Sequence, residues 1–354
     1  MQKKLYLCKL KMTKMKKPII IAGPCSVESR EQLCEVTESL MQMPQVTLIR
    51  AGVWKPRTRP GGFEGLGEPA LRWMQELQKE KGARYCCEVA RPEHVELCAR
   101  YGIETVWLGA RTTANPFMVE ELCDALRGSD MKVMVKNPMN PDVRLWLGAI
   151  ERLQQCGIAV TAAIHRGFSM YDNRGYRNDP LWEVPMELRR QMSELPLLCD
   201  PSHIAGRTDL VAPVAQAAML LGFDGVMVEV HPHPASALTD AVQQLTPTAL
   251  AAMLPTLQQP ESPEMAAPDL STLRSRIDEL DHEMLRLLAS RMDVSRRMAA
   301  LKRAAGMSVY QPQRWQAVLT DRQQQAIELG LDPTFTKELL EKIHGESVRV
   351  QMEG

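Results

Sequence analysis

Between residues 19 and 230 the chain alternates eight times between a short apolar run and a longer amphipathic segment. The runs are Ile19–Ala22, Val46–Ile49, Arg84–Val89, Thr105–Leu108, Lys132–Val135, Ala159–Ile164, Leu195–Cys199 and Gly225–Val230. Runs this short and this apolar suit strands buried on both faces. The intervening segments carry helical spacing, as in Glu93-His94-Val95-Glu96-Leu97-Cys98. Eight strand–helix units over about 240 residues predict a parallel (β/α)8 barrel. An open doubly wound sheet has less support, because no GxGxxG follows the first run.

The pattern changes after Leu254. Four prolines between residues 254 and 269 exclude regular structure there and stiffen the chain. The expected organisation is therefore a barrel over residues 1–254, a Pro-rich linker over 255–268 and a small all-helical domain over 269–354. In the last part, apolar residues fall at Leu270, Leu273, Ile277, Leu280, Met284, Leu287, Val294, Met298 and Leu301. This is a heptad pattern over about 32 residues, or close to 50 Å of helix. A domain of about 85 residues cannot bury such a stripe alone, which predicts at least a homodimer. Arg291 occupies one seam position, where a cation is costly unless it meets an anion. Lys302 follows eleven residues later at nearly the same azimuth.

Charge and cysteine usage narrow the class. Lysine plus arginine and aspartate plus glutamate each number 43, which argues against a nucleic-acid binder. The basic stretch 1–17 lacks an apolar run long enough for a signal peptide or a membrane span. Nine cysteines without a CxxC pair fit reduced thiols in a cytoplasm. Cys86 and Cys87, adjacent on a strand, are expected to point to opposite faces.

The residues at or just past the runs are Cys25, Arg50 with Lys55 and Arg57, Glu88, Arg111, Lys136, His165 with Arg166, His203 and Glu229. Strand ends of a barrel share one mouth. Any one of these arginines alone reads as a solvated loop residue, and Cys25 alone as a small buried hydrophobe. Eight polar ends in register with eight strands instead predict a mouth for a polyanionic small molecule, or two. Cys25, His203, Glu229 and Asp240 offer a thiolate, an imidazole and two carboxylates. That donor mix suits Mn2+, Fe2+, Co2+ or Zn2+ better than Mg2+ or Ca2+. His231 and His233 are weaker candidates, expected on the loop beyond. Lys136 leaves a Schiff-base aldolase open as another reading.

Several motifs together resemble a known family. They are Ala22-Gly-Pro-Cys-Ser-Val-Glu-Ser29, Arg50-Ala-Gly-Val-Trp-Lys-Pro-Arg-Thr58, Gly109-Ala-Arg-Thr-Thr113, Asp200-Pro-Ser-His203, Glu229-Val-His231 and Ala237-Leu-Thr-Asp240. Over about residues 17 to 250 the chain resembles the type I beta 3-deoxy-D-arabino-heptulosonate 7-phosphate (DAHP) synthases. Lys55-Pro56-Arg57-Thr58 favours these over the sister barrel that makes a 3-deoxy-octulosonate phosphate. The resemblance implies condensation of phosphoenolpyruvate with erythrose 4-phosphate. It implies metal binding by Cys25, His203, Glu229 and Asp240. Arg111 and Arg166 would take the phosphoenolpyruvate phosphate, and Arg50, Lys55 and Lys136 its carboxylate. Arg57 and Thr58 would take erythrose 4-phosphate, and Glu88 would orient water. Arg59 departs from the serine usual beside the aldose site.

Residues 269–352 resemble the all-helical chorismate mutases. Arg274, Arg291, Lys302 and Arg314 match the cationic positions of that family, and Ser347 and Gln351 match its polar pair. The resemblance implies rearrangement of chorismate to prephenate, with Lys302 and Gln351 at the ether oxygen and Arg274 donated across a dimer. Two departures stand out: Trp315 replaces the usual glutamate after Arg314, and Gln311 an aspartate. The combined expectation is a bifunctional shikimate-pathway enzyme with feedback inhibition through the helical domain. The alternative is a DAHP synthase with a non-catalytic ligand-sensing or dimerisation module.

Overall fold

Val, Ile and Leu dominate the short runs, and they fold as eight strands: β1 Ile19–Gly23, β2 Val46–Arg50, β3 Tyr85–Val89, β4 Thr105–Leu108, β5 Lys132–Lys136, β6 Ala159–His165, β7 Leu197–Cys199 and β8 Gly225–Glu229. The structure is a computed structural model and describes residues 17–55, 61–171, 175–257 and 268–353. Each strand pairs in parallel with its sequence neighbour, and β8 pairs with β1 to close the barrel. At that seam a Cβ on Gly225 would lie 1.9 Å from the Ile19 carbonyl oxygen, so only glycine lets the two strands meet. The seventh strand begins two residues later than the apolar run. Pro196 has no N–H for the ladder, although its carbonyl accepts from Ala163 N at 2.8 Å.

The two-residue period of each strand divides the core. Ile21, Cys86, Trp107, Met134, Ala162, Ile164, Leu198 and Met227 fill the barrel interior. Ile20, Ala22, Cys87, Val106, Leu108, Val133 and Val135 face the surrounding helices. Cys86 and Cys87 thus point to opposite faces, and Cys87 Sγ lies 3.3 Å from Cys98 Sγ on the helix Pro92–Arg100. Ser29 caps the helix Arg30–Met41 by accepting from Gln32 N at 3.0 Å.

The chain divides into two compact units at residues 261 and 262. Of the expected linker 255–268, residues 255 and 256 belong to a 3-10 turn that starts at Leu254, and Pro268 already begins a helix; residues 258–267 lie outside the described residues. The second unit has three described helices, Pro268–Ala304, Pro312–Glu328 and Pro333–Glu353, and the first two both pack on the third. The first helix presents Leu288, Met292, Ser295, Ala299 and Lys302 as its more buried edge. The heptad stripe lies on the neighbouring edge and is open: Leu273, Ile277, Leu280, Met284, Leu287, Val294, Met298 and Leu301 are all exposed.

Candidate active site

Continuing the two-residue period from the interior apolar layer places Arg50, Glu88, Lys136, Asp200 and Glu229 one step above Leu48, Cys86, Met134, Leu198 and Met227. The step is a change of chemistry, from apolar fill to ions. Arg50 Nη2 lies 3.1 Å from Glu229 Oε1, Arg50 Nη1 lies 3.9 Å from Asp200 Oδ2, and Lys136 Nζ donates to Asp200 Oδ2 at 2.7 Å. All four side chains are buried. Two cations and two anions neutralise one another, which is what makes burying four ions tolerable. Trp107 supports both cations from below, with its ring centre 5.3 Å from the Arg50 guanidinium and 5.5 Å from Lys136 Nζ.

Beside this quartet stand the expected metal ligands. Donor atoms of Cys25, Glu229 and Asp240 all lie within 4.8 Å of one another. Cys25 Sγ is 3.2 Å from Asp240 Oδ2, and His203 Nε2 is 3.7 Å from Glu229 Oε1. Asp200 caps the helix Pro201–Ala205 by accepting from His203 N at 3.1 Å, and its Oδ2 lies 2.8 Å from His203 Nδ1. The ring is thereby turned so that Nε2 faces Glu229. Burial lowers the His203 pKa, against the pull of Asp200 and Glu229, so the imidazole is neutral and free to ligate. Burial works against the Glu229 charge, but its neighbours, Arg50 and Lys55 among them, hold that carboxyl low. Burial likewise opposes Asp240, which Arg177 chiefly holds well below the usual carboxylate range.

Burial first, and Glu229 next, push the Cys25 thiol up to about 12. Lys55 Nζ donates to that sulfur at 2.9 Å and to the Cys25 carbonyl at 3.3 Å. Glu229 Oε1 is buried without a hydrogen bond among the described residues. A soft sulfur, an oriented neutral imidazole and two ionised carboxylates fit a borderline divalent ion.

The cations expected to bind phosphate lie toward the mouth. Arg166 donates to Asn178 Oδ1 at 2.7 Å, and its backbone N donates to Asn137 Oδ1 at 2.7 Å. Burial first, with smaller contributions from the charges of Arg177 and Arg111, brings Arg166 down to about 10. Arg111 is exposed on the short helix Ala110–Thr113. Glu88 accepts from Trp107 Nε1 at 3.1 Å. Arg57, Thr58 and Arg59 lie outside the described residues.

One expected group does not join the mouth. His165 is odd in the period that turns Ile164 and Arg166 inward, so it points to the helices. It packs 5.4–6.4 Å from Trp182, Phe168, Phe223 and Trp146, and burial lowers its pKa to about 3. Conversely, Asp200, Arg177 and Gln243 belong to the site without having been singled out. An Asp-Pro helix start and the period from Leu198 both point to Asp200; no local pattern points to the other two. His231 lies 3.5 Å from Glu28, and the exposed His233 lies 3.4 Å from Glu35.

In the helical unit, Arg291 Nη1 contacts Ser347 Oγ and donates to the Ile343 carbonyl at 3.4 Å. Lys302 Nζ donates to the Val309 carbonyl at 2.6 Å. Gln351 Nε2 donates to the Ser347 carbonyl at 3.0 Å, while its Oε1 is buried without a partner among the described residues. Trp315 stacks on His344 at 4.0 Å, with 6° between the rings. Arg314 is exposed at the start of the second helix. Arg274 lies seventeen residues before Arg291 on one straight helix, about 25 Å away, so it does not reach this cluster within one chain.

The DAHP synthetase I family matches residues 8–263, and chorismate mutase type II matches residues 273–352. A phospho-2-dehydro-3-deoxyheptonate aldolase of Thermotoga maritima is 35% identical over 227 residues, covering 64% of this chain and 64% of that relative. A 2-dehydro-3-deoxyphosphooctonate aldolase of Campylobacter jejuni is 26% identical over 263 residues, covering 67% of this chain and 93% of its own length. The crystal structure of the T. maritima DAHP synthase superposes with a TM-score of 0.62 at 32% identity, covering 68% of each chain. Its truncated form gives 0.59 at 29% identity, covering 68% of this chain and 86% of that one. The chain belongs to the DAHP synthetase I family and carries a chorismate mutase type II domain at its C-terminal end.

Proposed function

We propose that the barrel condenses phosphoenolpyruvate with erythrose 4-phosphate to DAHP and inorganic phosphate, and that the helical domain rearranges chorismate to prephenate as a homodimer. The barrel reading rests on one observation above all: the Cys25, His203, Glu229 and Asp240 donors stand beside the buried Arg50, Lys136, Asp200 and Glu229 ions. Those four donors hold one divalent ion, with Mn2+ first among Mn2+, Fe2+, Co2+ and Zn2+. When bound, the ion supplies Lewis acidity toward the aldehyde oxygen.

The chain's own residues bind and orient. Arg111 and Arg166 grip the phosphoenolpyruvate phosphate, and Arg50, Lys55 and Lys136 its carboxylate. Arg57 and Thr58 take the phosphate end of the aldose. Without these cations, two anions at reacting distance would repel strongly in a site poor in water. The methylene carbon of phosphoenolpyruvate attacks the aldehyde carbon. Glu88 orients the water that adds to the enol carbon, and phosphate leaves with C–O cleavage. In the helical domain, Arg291, Lys302 and Arg314, with Arg274 of the partner subunit, clamp the dicarboxylate in its compact conformer, and Ser347 lies against it. Lys302 and Gln351 donate to the ether oxygen as charge develops there.

Prephenate held by the helical domain lowers the synthase rate, and the two small-molecule activities reside in a cytoplasm that keeps the cysteines reduced. Among the described residues, no helix is long and apolar enough to cross a membrane. A second reading, of a helical domain that senses a ligand and dimerises without turnover, has an observation of its own. The residue after Arg314 is an aromatic, Trp315, stacked on His344, where the mutases usually carry a carboxylate.

The deciding experiment assays both reactions on the full chain after EDTA treatment and again after metal is restored. Synthase turnover should vanish and return while chorismate rearrangement stays constant. Synthase turnover indifferent to chelation sinks the metal reading, and absent chorismate turnover leaves the sensing reading. Titrating prephenate into the synthase assay, with wild type and Arg291→Ala compared, tests feedback: inhibition should disappear in the variant.

A further inference from the structure

Residues 239–244 hold on to three of the four proposed ligands. Asp240 is itself one, in a left-handed backbone conformation with φ 47°. Gln243 is fully buried and donates from Nε2 to Glu229 Oε2 at 2.6 Å. Gln244, also fully buried, accepts from Cys25 N at 3.0 Å through its Oε1. Thr239 Oγ1 lies 2.7 Å from Ser26 Oγ, next to Cys25 in sequence.

One side chain from elsewhere completes the arrangement. Because Gln243 gives its amide N–H to Glu229, its Oε1 is left to accept, and Arg177 Nη1 donates to it at 2.5 Å. The same nitrogen donates to Asp240 Oδ1 at 3.0 Å. Arg177 reaches this point by lying across Gly206, which ends the helix carrying His203 with φ +70°. A Cβ at Gly206 would come within 2.4 Å of Arg177 Cβ, so the close approach depends on glycine. One oxygen of each carboxylate, Glu229 Oε2 and Asp240 Oδ1, is therefore engaged by a donor. The other two, Glu229 Oε1 and Asp240 Oδ2, face His203 and Cys25 respectively, and Arg50 Nη2 pairs with Glu229 Oε1 at 3.1 Å without contacting Asp240.

We propose that Arg177 and Gln243 are positioning residues that fix the rotation of the Glu229 and Asp240 carboxylates and thereby set the affinity of the site for a divalent ion. The inference rests on the metal reading above. Carboxylates free to rotate must be ordered when the ion binds; carboxylates already held are not, and loss of such outer partners typically costs metal sites about 10–100-fold in affinity. Lysine at 177 keeps the charge but places it as a compact ammonium on a flexible stem in place of the planar guanidinium whose Nη1 makes both contacts.

The test titrates Co2+ into the metal-free full chain. The readouts are the binding isotherm and the thiolate-to-cobalt charge-transfer absorbance, with thermal melts of the metal-free proteins to establish folding. Wild type should show the thiolate band and Cys25→Ala should lack it. Arg177→Ala and Gln243→Leu should keep the band at saturation while binding about 10–100-fold more weakly, with Arg177→Lys between them and wild type. Arg177 is 45% exposed, so its substitution should disturb packing less than that of the buried Gln243, and the Arg177 variants carry the test where Gln243→Leu does not fold. Co2+ affinities of Arg177→Ala and Arg177→Lys within about two-fold of wild type overturn the proposal. A wild type without the thiolate band, indistinguishable from Cys25→Ala, overturns the metal reading and this inference with it.

Discussion

The two halves of this chain handle cations in opposite ways. In the barrel, Arg50 and Lys136 are buried and each already faces a carboxylate 2.7–3.1 Å away. The site is assembled within one chain by eight converging strand ends. In the helical unit, Arg274, Arg291 and Arg314 are exposed and spread along two helices, and an apolar stripe beside them is open. A closed barrel makes a concave site by topology alone. Three helices do so less readily, and in the dimer proposed above a second copy would supply a wall. The barrel half is thus expected to be sensitive to single buried changes, and the helical half to association.

The largest effect should come from Cys25→Ala, which removes the proposed sulfur ligand. Synthase turnover should fall below detection while chorismate rearrangement by the same preparation is unchanged; surviving synthase turnover would show that the ligand assignment is wrong. The converse separation comes from Leu287→Glu, a charge placed on a seam residue that is 70% exposed. Sedimentation should show dissociation of the helical-domain contact, with chorismate turnover lost. A dimer that persists with full turnover breaks the idea that the open stripe is an interface.

Arg50→Ala leaves Glu229 and Asp200 buried with one partner fewer and should cost about 3–5 kcal/mol in denaturant unfolding of the barrel. Arg291→Ala, at an exposed site, should cost less than about 1 kcal/mol. Equal losses would erase the contrast between the two halves.

A smaller effect is a pH slope. His165 binds a proton only below about 3 in the folded barrel, because burial among aromatics excludes the charge. In the unfolded chain it titrates near its ordinary 6.5. Its contribution to stability is complete above pH 6.5 and is lost as pH falls from there toward 3, at about 1.4 kcal/mol per pH unit. Unfolding of His165→Phe, followed from pH 7 to 4, should show a slope shallower by that amount; an unchanged slope removes His165 as its source.

Much of this molecule is legible in its sequence because strand and helix periods are local. The eight apolar runs fix the eight strands to within two residues, and the same period turns Arg50, Glu88, Lys136 and Glu229 inward as strands require. Where parity was not followed to the strand end, as at His165, the expectation failed; one residue of register exchanges mouth for wall. The heptad likewise located the long helix, but which edge packs on the third helix and which stays open depends on contacts between helices. What only the tertiary structure decided is the meeting of residues remote in the chain. Cys25 lies 215 residues from Asp240, yet barrel closure sets their donor atoms 3.2 Å apart. Arg177 and Gln243 likewise carry no motif, and their role follows from a hydrogen bond between loops 66 residues apart. Spacing in sequence encodes the direction of each side chain from its own backbone; the distance between side chains on different strands is set only when the sheet closes.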